Sequence, residues 1–127
     1  MRKQFSLIAL SALLLLGCER DTTYDNFATC IADADATFYG AFWCPHCADQ
    51  KKLFGDSKDL LPYGECDPNG KDSQAALCND EGVKSYPTWK FSDGTVKNGV
   101  VSLEDLSEQT SCPLPGEESV LQQTDED

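Results

Sequence analysis

The chain has 127 residues, with 22 acidic and 10 basic side chains and a formal net charge of −12. That length suits a single domain with a modest hydrophobic core. A surface this acidic repels nucleic acid and anionic lipid head groups, so the composition argues against DNA or RNA as a partner.

Residues 1–17 are predicted to be a lipoprotein signal peptide. A short basic head precedes an apolar run from Phe5 to Leu16, which is too short for a spanning helix of about 20 residues. The run ends Leu-Leu-Gly-Cys18 and resembles the bacterial lipobox, although Leu16 is bulkier than the residue usual there. The resemblance implies cleavage before Cys18 and lipidation of its sulfur. An ordinary secretory signal with a spare cysteine is the alternative.

Lipidation would anchor the chain in the bacterial cell envelope, facing the periplasm or the exterior. Cleavage removes Arg2 and Lys3, so basic residues fall from 10 to 8 and the net charge moves from −12 to −14. Attachment to the membrane then depends on acyl chains, not on basic patches. We expect residues 18–23 to form a polar tether, residues 24–112 the domain, and residues 113–127 an acidic disordered tail.

Apolar periodicity and turn residues predict eight elements within the domain. In chain order they are a helix over 24–34, a strand over 36–42, a helix over 44–55 that ends at Gly55, a weaker strand over 60–66, a helix over 73–80 that Gly82 stops, a strand over 87–91, a returning strand over 96–101 after the turn Ser92-Asp93-Gly94, and a last helix that Ser102 caps. Strands that alternate with helices and then form a hairpin predict an α/β fold, a small mixed β-sheet flanked by helices.

Cys44-Pro45-His46-Cys47 carries the strongest chemical signal in the chain. The motif follows an apolar strand and opens a helix, where free backbone N–H groups and the positive end of the helix dipole favour a thiolate. The thiolate is the form that attacks disulfides. Cys47 lies one turn after Cys44 and can close a ring with it. The pair therefore predicts a reversible thiol–disulfide exchange centre.

The other cysteines are typical of an exported domain. Setting Cys18 aside leaves an even number of thiols, which permit fifteen pairings, and the local pair within the motif is the safest of these. Cys66 and Cys78 flank a polar, turn-rich loop, and Cys30 and Cys112 lie near the two ends of the domain. A bond between the ends would close about 83 residues and contribute roughly 4.5 kcal/mol in the chain-entropy model, and a bond across the loop would close about 13 residues and contribute roughly 3 kcal/mol.

Four segments together carry a resemblance to a known family. They are residues 38–55 around the Cys-Pro-His-Cys motif, Glu65-Cys66 with Cys78, residues 82–89 with Tyr86-Pro87-Thr88, and residues 102–112. This pattern resembles the thioredoxin-like domains that occur alone or fused to vitamin K epoxide reductase homologues, and it covers about residues 27–112. The resemblance implies a thioredoxin fold in a membrane-anchored, extracytoplasmic thiol–disulfide oxidoreductase without a cofactor. Its implied partners are protein thiols and disulfides, together with a membrane quinone-linked protein such as a vitamin K epoxide reductase homologue.

The resemblance also implies roles for single residues. Cys44 is the attacking thiol, and Cys47 resolves the mixed disulfide. Pro87 matches a cis proline that lies against the redox pair and leaves the Tyr86 backbone free for an extended substrate, while a trans proline at a strand edge is the alternative.

The resemblance further implies a second disulfide between Cys66 and Cys78, which is either a structural staple or part of an electron relay. Many relatives carry a buried acidic residue six positions before the first active cysteine, where it helps to move the proton of the second thiol. That position is Phe38 in this chain, so another group or water has to take this role.

Three further residues flank the thiols. His46 stabilises the Cys44 thiolate from the first helical turn, or it is an exposed spacer. Trp43 is expected to shield the disulfide and to offer an apolar contact to a substrate. Phe42 is expected to lie in the core.

Three other uses of the cysteine pair compete with exchange chemistry. Structural zinc needs four ligands, usually from two close pairs, and the chain has no second Cys-X-X-Cys, so no metal is expected. A thioredoxin-like lipoprotein that binds metal or maturation partners without turnover is the main alternative function. A purely structural bridge between Cys44 and Cys47 would staple almost nothing, because the loop that it closes is so short.

Overall fold

The structure, a computed structural model, describes residues 17–117. Within this range the chain forms four α-helices, four strands and one 3₁₀ helix. In chain order they are α1 (Asp25–Asp33), β1 (Thr37–Gly40), α2 (Pro45–Lys52), the 3₁₀ helix (Gly55–Leu60), β2 (Tyr63–Glu65), α3 (Ala75–Asp80), β3 (Thr88–Lys90), β4 (Val96–Asn98) and α4 (Leu103–Thr110). Every helix in this range is too short or too polar to span a bilayer.

The four strands form one mixed sheet in the order β2-β1-β3-β4. β1 pairs in parallel with β2, while β3 runs antiparallel to both β1 and β4. The register places Phe38 of β1 opposite Tyr63 on one side and opposite Trp89 on the other. One parallel pair followed by a hairpin, with helices flanking the sheet, is a thioredoxin-like α/β arrangement, and the predicted fold class is confirmed.

Aromatic side chains fill the core beneath the motif. The Phe38 ring stacks on Trp89 with centroids 5.0 Å apart, and both side chains are fully buried. Helix α1 presents Phe27 and Ile31, four residues apart on one face, to the same core. The large apolar groups that hold the sheet together therefore lie directly behind the strand that leads into the thiols.

Each predicted element is present, but the strands are shorter than predicted. β2 begins only at Tyr63, because Leu60 ends the 3₁₀ helix and Pro62 has no N–H to offer the ladder. β4 ends at Asn98, because Gly99 adopts a φ of +86° that breaks the extended backbone. Because each strand pairing is short, the stability of the sheet depends more on side-chain packing than on backbone hydrogen bonds.

The prediction that the helix after the motif ends at Gly55 was wrong. The α-helix ends at Lys52, and Gly55, with a φ of +53°, opens the 3₁₀ helix, which was not predicted. Gly82 does stop α3 as predicted: it adopts a φ of +68° and donates its N–H to the carbonyl of Asn79.

Two disulfides join distant parts of the domain. Cys30 of α1 is bonded to Cys112 after α4, across a sequence separation of 82. Cys66 after β2 is bonded to Cys78 of α3, across a separation of 12. The first bond joins the two ends of the domain, and the second holds α3 against the sheet.

Both ends of the domain continue beyond the predicted boundaries. Residues 18–23, predicted to be a free tether, lie along the domain: the Arg20 guanidinium forms an ion pair with Asp25 at 2.7 Å, and the Asp21 N–H donates to the Asp56 carboxylate. At the other end, Leu114 packs against the core, so the segment predicted to be disordered begins as an ordered turn. Residues 1–16 of the predicted signal peptide and residues 118–127 of the predicted tail lie outside the described residues.

Candidate functional site

Cys44 is the N-cap residue of α2. Its Sγ accepts a hydrogen bond from the backbone N–H of Cys47 at 3.2 Å, and its own backbone is extended. Pro45 occupies the first helical position, where its missing N–H leaves no hydrogen bond unmade. A donated N–H and the positive helix end both favour negative charge on the Cys44 sulfur. The sequence therefore places the Cys44 sulfur at this helix terminus, where the motif predicts a nucleophile.

Cys47 lies beneath Cys44, inside the core. The two sulfurs are 2.6 Å apart, and a small movement of the side chains brings them to the bonded distance of about 2.05 Å. Burial, and then the hydrogen bond to the Cys44 sulfur, raise the pKa of the Cys47 thiol from 9.0 to about 12. The Cys47 thiol is therefore held neutral in the reduced protein.

The floor beneath Cys47 is formed by Gly40 and by residues of α2 and β2. A Cβ added at Gly40 would stand 2.8 Å from the Cys47 sulfur and 3.0 Å from the Tyr63 ring, so a glycine is required for this close packing. The ammonium of Lys51 lies 3.5 Å above the centroid of the same ring, and the Tyr63 hydroxyl donates to Glu65 at 2.9 Å. Burial raises the pKa of Tyr63, and so does Glu65, which keeps the phenol neutral.

Aromatic side chains form the rim of the site. The Trp43 side chain is 58% exposed, its Nε1–H donates to the Asp67 carboxylate at 2.7 Å, and its ring meets Tyr86 edge-on with centroids 6.0 Å apart. The prediction that Phe42 lies in the core was wrong, since 63% of it is exposed. β1 ends at Gly40, so the strand alternation that would turn Phe42 inward no longer applies. Phe42 and Trp43 thus form an exposed apolar pair directly before the nucleophile.

The loop before β3 approaches the motif from the other side. The Tyr86–Pro87 peptide bond is cis, the form that the resemblance implies, and Pro87 is fully buried. Tyr86 is half-buried and packs against the main core as well as against the smaller cluster that contains Cys66 and Cys78. Tyr86 therefore joins three parts of the site: the rim at Trp43, the proline loop and the second disulfide.

His46 lies at the site but points to solvent. Its side chain is 73% exposed, and its Nδ1 lies 3.9 Å from the carboxylate of Asp49. This position fits an exposed spacer more closely than a stabiliser of the Cys44 thiolate.

Sequence reasoning missed three residues of the site: Gln50, Lys51 and Tyr63. Gln50 is fully buried and bonds to Val101 and Trp89, while Lys51 and Tyr63 form the floor described above. The spacing of Cys47, Gln50 and Phe54 along one helix face could have identified Gln50, because polar residues on a buried stripe need partners. Nothing in the sequence pairs Lys51 with Tyr63, because that contact depends on the crossover between α2 and β2.

Cys18 lies apart from this centre. Cys18 is exposed and lines a shallow cleft with residues of the 3₁₀ helix. Between residues 17 and 117, no three His, Cys, Asp or Glu side chains converge in the manner of a metal site.

No protein-family model matches the chain. The thiol-disulfide oxidoreductase LTO1 of Arabidopsis thaliana is 39% identical over 83 residues, which cover 62% of this chain and 22% of that protein. The crystal structure of thioredoxin O2 from Arabidopsis thaliana in the oxidised state aligns over 82% of this chain and 90% of that one, with 16% identity and a TM-score of 0.37. The chain thus spans only a small part of the relative named for thiol–disulfide chemistry.

Proposed function

We propose that the chain is a thiol–disulfide oxidoreductase that exchanges disulfides with protein thiols through Cys44 and Cys47. The observation that carries the proposal is the position of Cys44, whose sulfur caps α2 and accepts the Cys47 N–H, with the second sulfur 2.6 Å away. A relative named as a thiol-disulfide oxidoreductase supports the same chemistry.

The reaction follows from the different environments of the Cys44 and Cys47 sulfurs. In the reducing direction, the Cys44 thiolate attacks a substrate disulfide, one substrate sulfur leaves as a thiolate, and a mixed disulfide forms. Cys47 then loses its proton and attacks the Cys44 sulfur, which releases the second substrate thiolate and closes the Cys44–Cys47 bond. The oxidising direction is the same sequence reversed. The exposed Trp43 and Phe42 offer the substrate an apolar contact beside the nucleophile.

An exchange assay on the purified chain tests the activity. We expect the chain to catalyse disulfide exchange in a reduced or scrambled protein, and Cys44→Ser to abolish it. Cys18→Ser is the matched control, because Cys18 is also a free cysteine but lies outside the pair. Full activity in both Cys44→Ser and Cys47→Ser would refute the proposal. Stoichiometric retention of a metal without turnover would instead support the alternative, a binding lipoprotein.

We also propose that the chain is a lipoprotein of the bacterial cell envelope, anchored through Cys18 and facing the periplasm or the exterior. The signal-like N-terminus and the cysteine at its end support this, and so does the exposure of Cys18. Expression of the full chain tests it: the wild type should fractionate with membranes and incorporate labelled fatty acid, while Cys18→Ser should do neither. Label in the Cys18→Ser variant would contradict the anchor site.

A membrane quinone-linked protein, such as a vitamin K epoxide reductase homologue, is the redox partner that we propose. Anchoring would hold the two on one surface, and the resemblance in the sequence supports the pairing. Cys47→Ser should trap the partner on Cys44 as a mixed disulfide, because the resolving thiol is missing. Cys44→Ser is the control and should trap nothing. Recovery of soluble proteins alone from Cys47→Ser membranes would count against this partner.

A further inference from the structure

Lys51 brings one positive charge to the helix face that carries Cys47. Lys51 follows Cys47 by four residues on α2, so the two side chains share a helix face. The Lys51 ammonium is held over the Tyr63 ring at 3.5 Å, and that ring also borders the space above Gly40 into which the Cys47 sulfur projects. The ring thus keeps the ammonium beside the resolving sulfur.

Tyr63 is itself held in place. Its hydroxyl donates to the Glu65 carboxylate, which also accepts the Asp67 N–H at 2.9 Å. Glu65 is 6% exposed, so its carboxylate is largely removed from water. The two donors replace the hydrogen bonds that water would make to it. Lys51, Tyr63 and Glu65 all line an open pocket of about 530 Å³. Solvent in this pocket reaches the Lys51 and Tyr63 side chains.

We infer that Lys51, held on the Tyr63 ring, is a positioning residue that stabilises the Cys47 thiolate during disulfide exchange. The inference rests on the proposed function. As the mixed disulfide resolves, Cys47 gives its proton to water and its sulfur attacks the Cys44 sulfur. The bond between Cys44 and the substrate breaks, and the substrate thiolate leaves and takes a proton from solvent. In the opposite direction Cys47 is the leaving thiolate, so the same charge acts both ways.

The ionisable groups around Cys47 support this role. Cys44 and Lys51 face it from α2, and Tyr63 faces it from β2 with Glu65 behind. Burial and Cys44 raise the pKa of Cys47, whereas the backbone at Ala41 and the charge of Lys51 lower it. When Cys44 is in a mixed disulfide, its sulfur carries no charge. Among these four groups around Cys47, Lys51 then carries the positive charge. Its charge thereby favours the ionised form of the second thiol.

Single-turnover kinetics with 4,4′-dithiodipyridine test the inference, because this neutral disulfide releases one thiopyridone when Cys44 attacks and a second when Cys47 resolves. Every protein compared, the wild type included, carries Cys18→Ser, because Cys18 is also a free thiol and would release a thiopyridone of its own. We expect Lys51→Met to slow the second phase about threefold to tenfold at pH 7. The midpoint of the pH dependence of the second-phase rate should move to higher pH. The first phase should stay as in the wild type, and Lys51→Arg should restore the second. Lys52→Met is the matched control, since its ammonium is 77% exposed and pairs with Asp49.

The outcomes separate the two proposals. A second phase in Lys51→Met equal to that of Lys52→Met overturns the role of Lys51 and leaves the proposed function standing. A slower phase that Lys51→Arg does not restore overturns it as well, because charge is then not the cause. A wild-type protein that releases no second thiopyridone would refute the proposed function itself.

Discussion

Replacement of Gln50 by leucine should destabilise the domain more than any other polar substitution in α2. The Gln50 side chain is fully buried and makes three hydrogen bonds. Its Oε1 accepts the Val101 N–H at 2.7 Å and the Trp89 indole N–H at 3.1 Å, and its Nε2 donates to the Val101 carbonyl at 3.0 Å. α2 buries only the side chains of Cys47 and Gln50, so this amide is its main attachment to β3 and to the chain after β4.

The expected magnitude follows from the partners left behind. Gln50→Leu leaves two N–H groups and one carbonyl buried without a partner, at about 1–3 kcal/mol each. Burial of the leucine returns about 1.5–3 kcal/mol. The middle of these ranges gives a fall of about 4 kcal/mol in the free energy of unfolding, a large part of the 5–15 kcal/mol typical of a domain.

Urea unfolding with both disulfides intact measures the change, and fluorescence of the buried Trp89 follows the transition. Gln109→Leu is the matched control, because the Gln109 amide donates a surface hydrogen bond to Asp93. Loss of this bond should change the free energy of unfolding by no more than about 0.5 kcal/mol. A cost below about 1 kcal/mol for Gln50→Leu, or equal costs for the two variants, would refute the idea that buried unpaired groups set this stability.

Two further predictions concern Cys47. Gly40→Ala should destabilise the protein by about 1–3 kcal/mol, because the new Cβ would meet the Cys47 sulfur at 2.8 Å, and urea unfolding should show a smaller cost in a Cys47→Ala background. An equal cost in both backgrounds would contradict the clash. The raised pKa of Cys47 stabilises the reduced fold below pH 9.0, and this contribution should be lost as pH rises from 9.0 through about 12. Reduced Cys47→Ser should lack that component, and an identical pH profile for both proteins would contradict the shift.

Features set by neighbouring residues were predictable from the sequence. Ser102 caps α4 by accepting the Asp105 N–H, Gly82 stops α3, and Cys44 caps α2. Each of these signals acts over three or four residues, so it does not depend on the tertiary fold. The same holds for the nucleophile, whose environment is mostly the first turn of its own helix.

Features set by the crossing of distant elements were not predictable in the same way. Phe42 was expected inside because it continues an apolar run, but it lies beyond the end of β1 and turns outward. Gln50 looks like a surface residue in a polar helix until Trp89 and Val101, 39 and 51 residues away, supply its partners. Contacts over such separations are products of the topology, which local patterns do not encode.

The absence of an acid at position 38 has a physical reason in this fold. Phe38 stacks on Trp89 at 5.0 Å and meets Tyr63 edge-on at 5.1 Å. A carboxylate there would be surrounded by aromatic rings whose N–H and O–H groups already donate to Gln50 and Glu65. Burial of such a charge is costly, and the stacking would be lost with it. A lysine one turn beyond Cys47 avoids both costs, because its stem can lie along the helix while its ammonium rests on the Tyr63 ring at the edge of a solvated pocket. An aromatic core beside the dithiol therefore favours a charge supplied from the pocket over one buried at position 38.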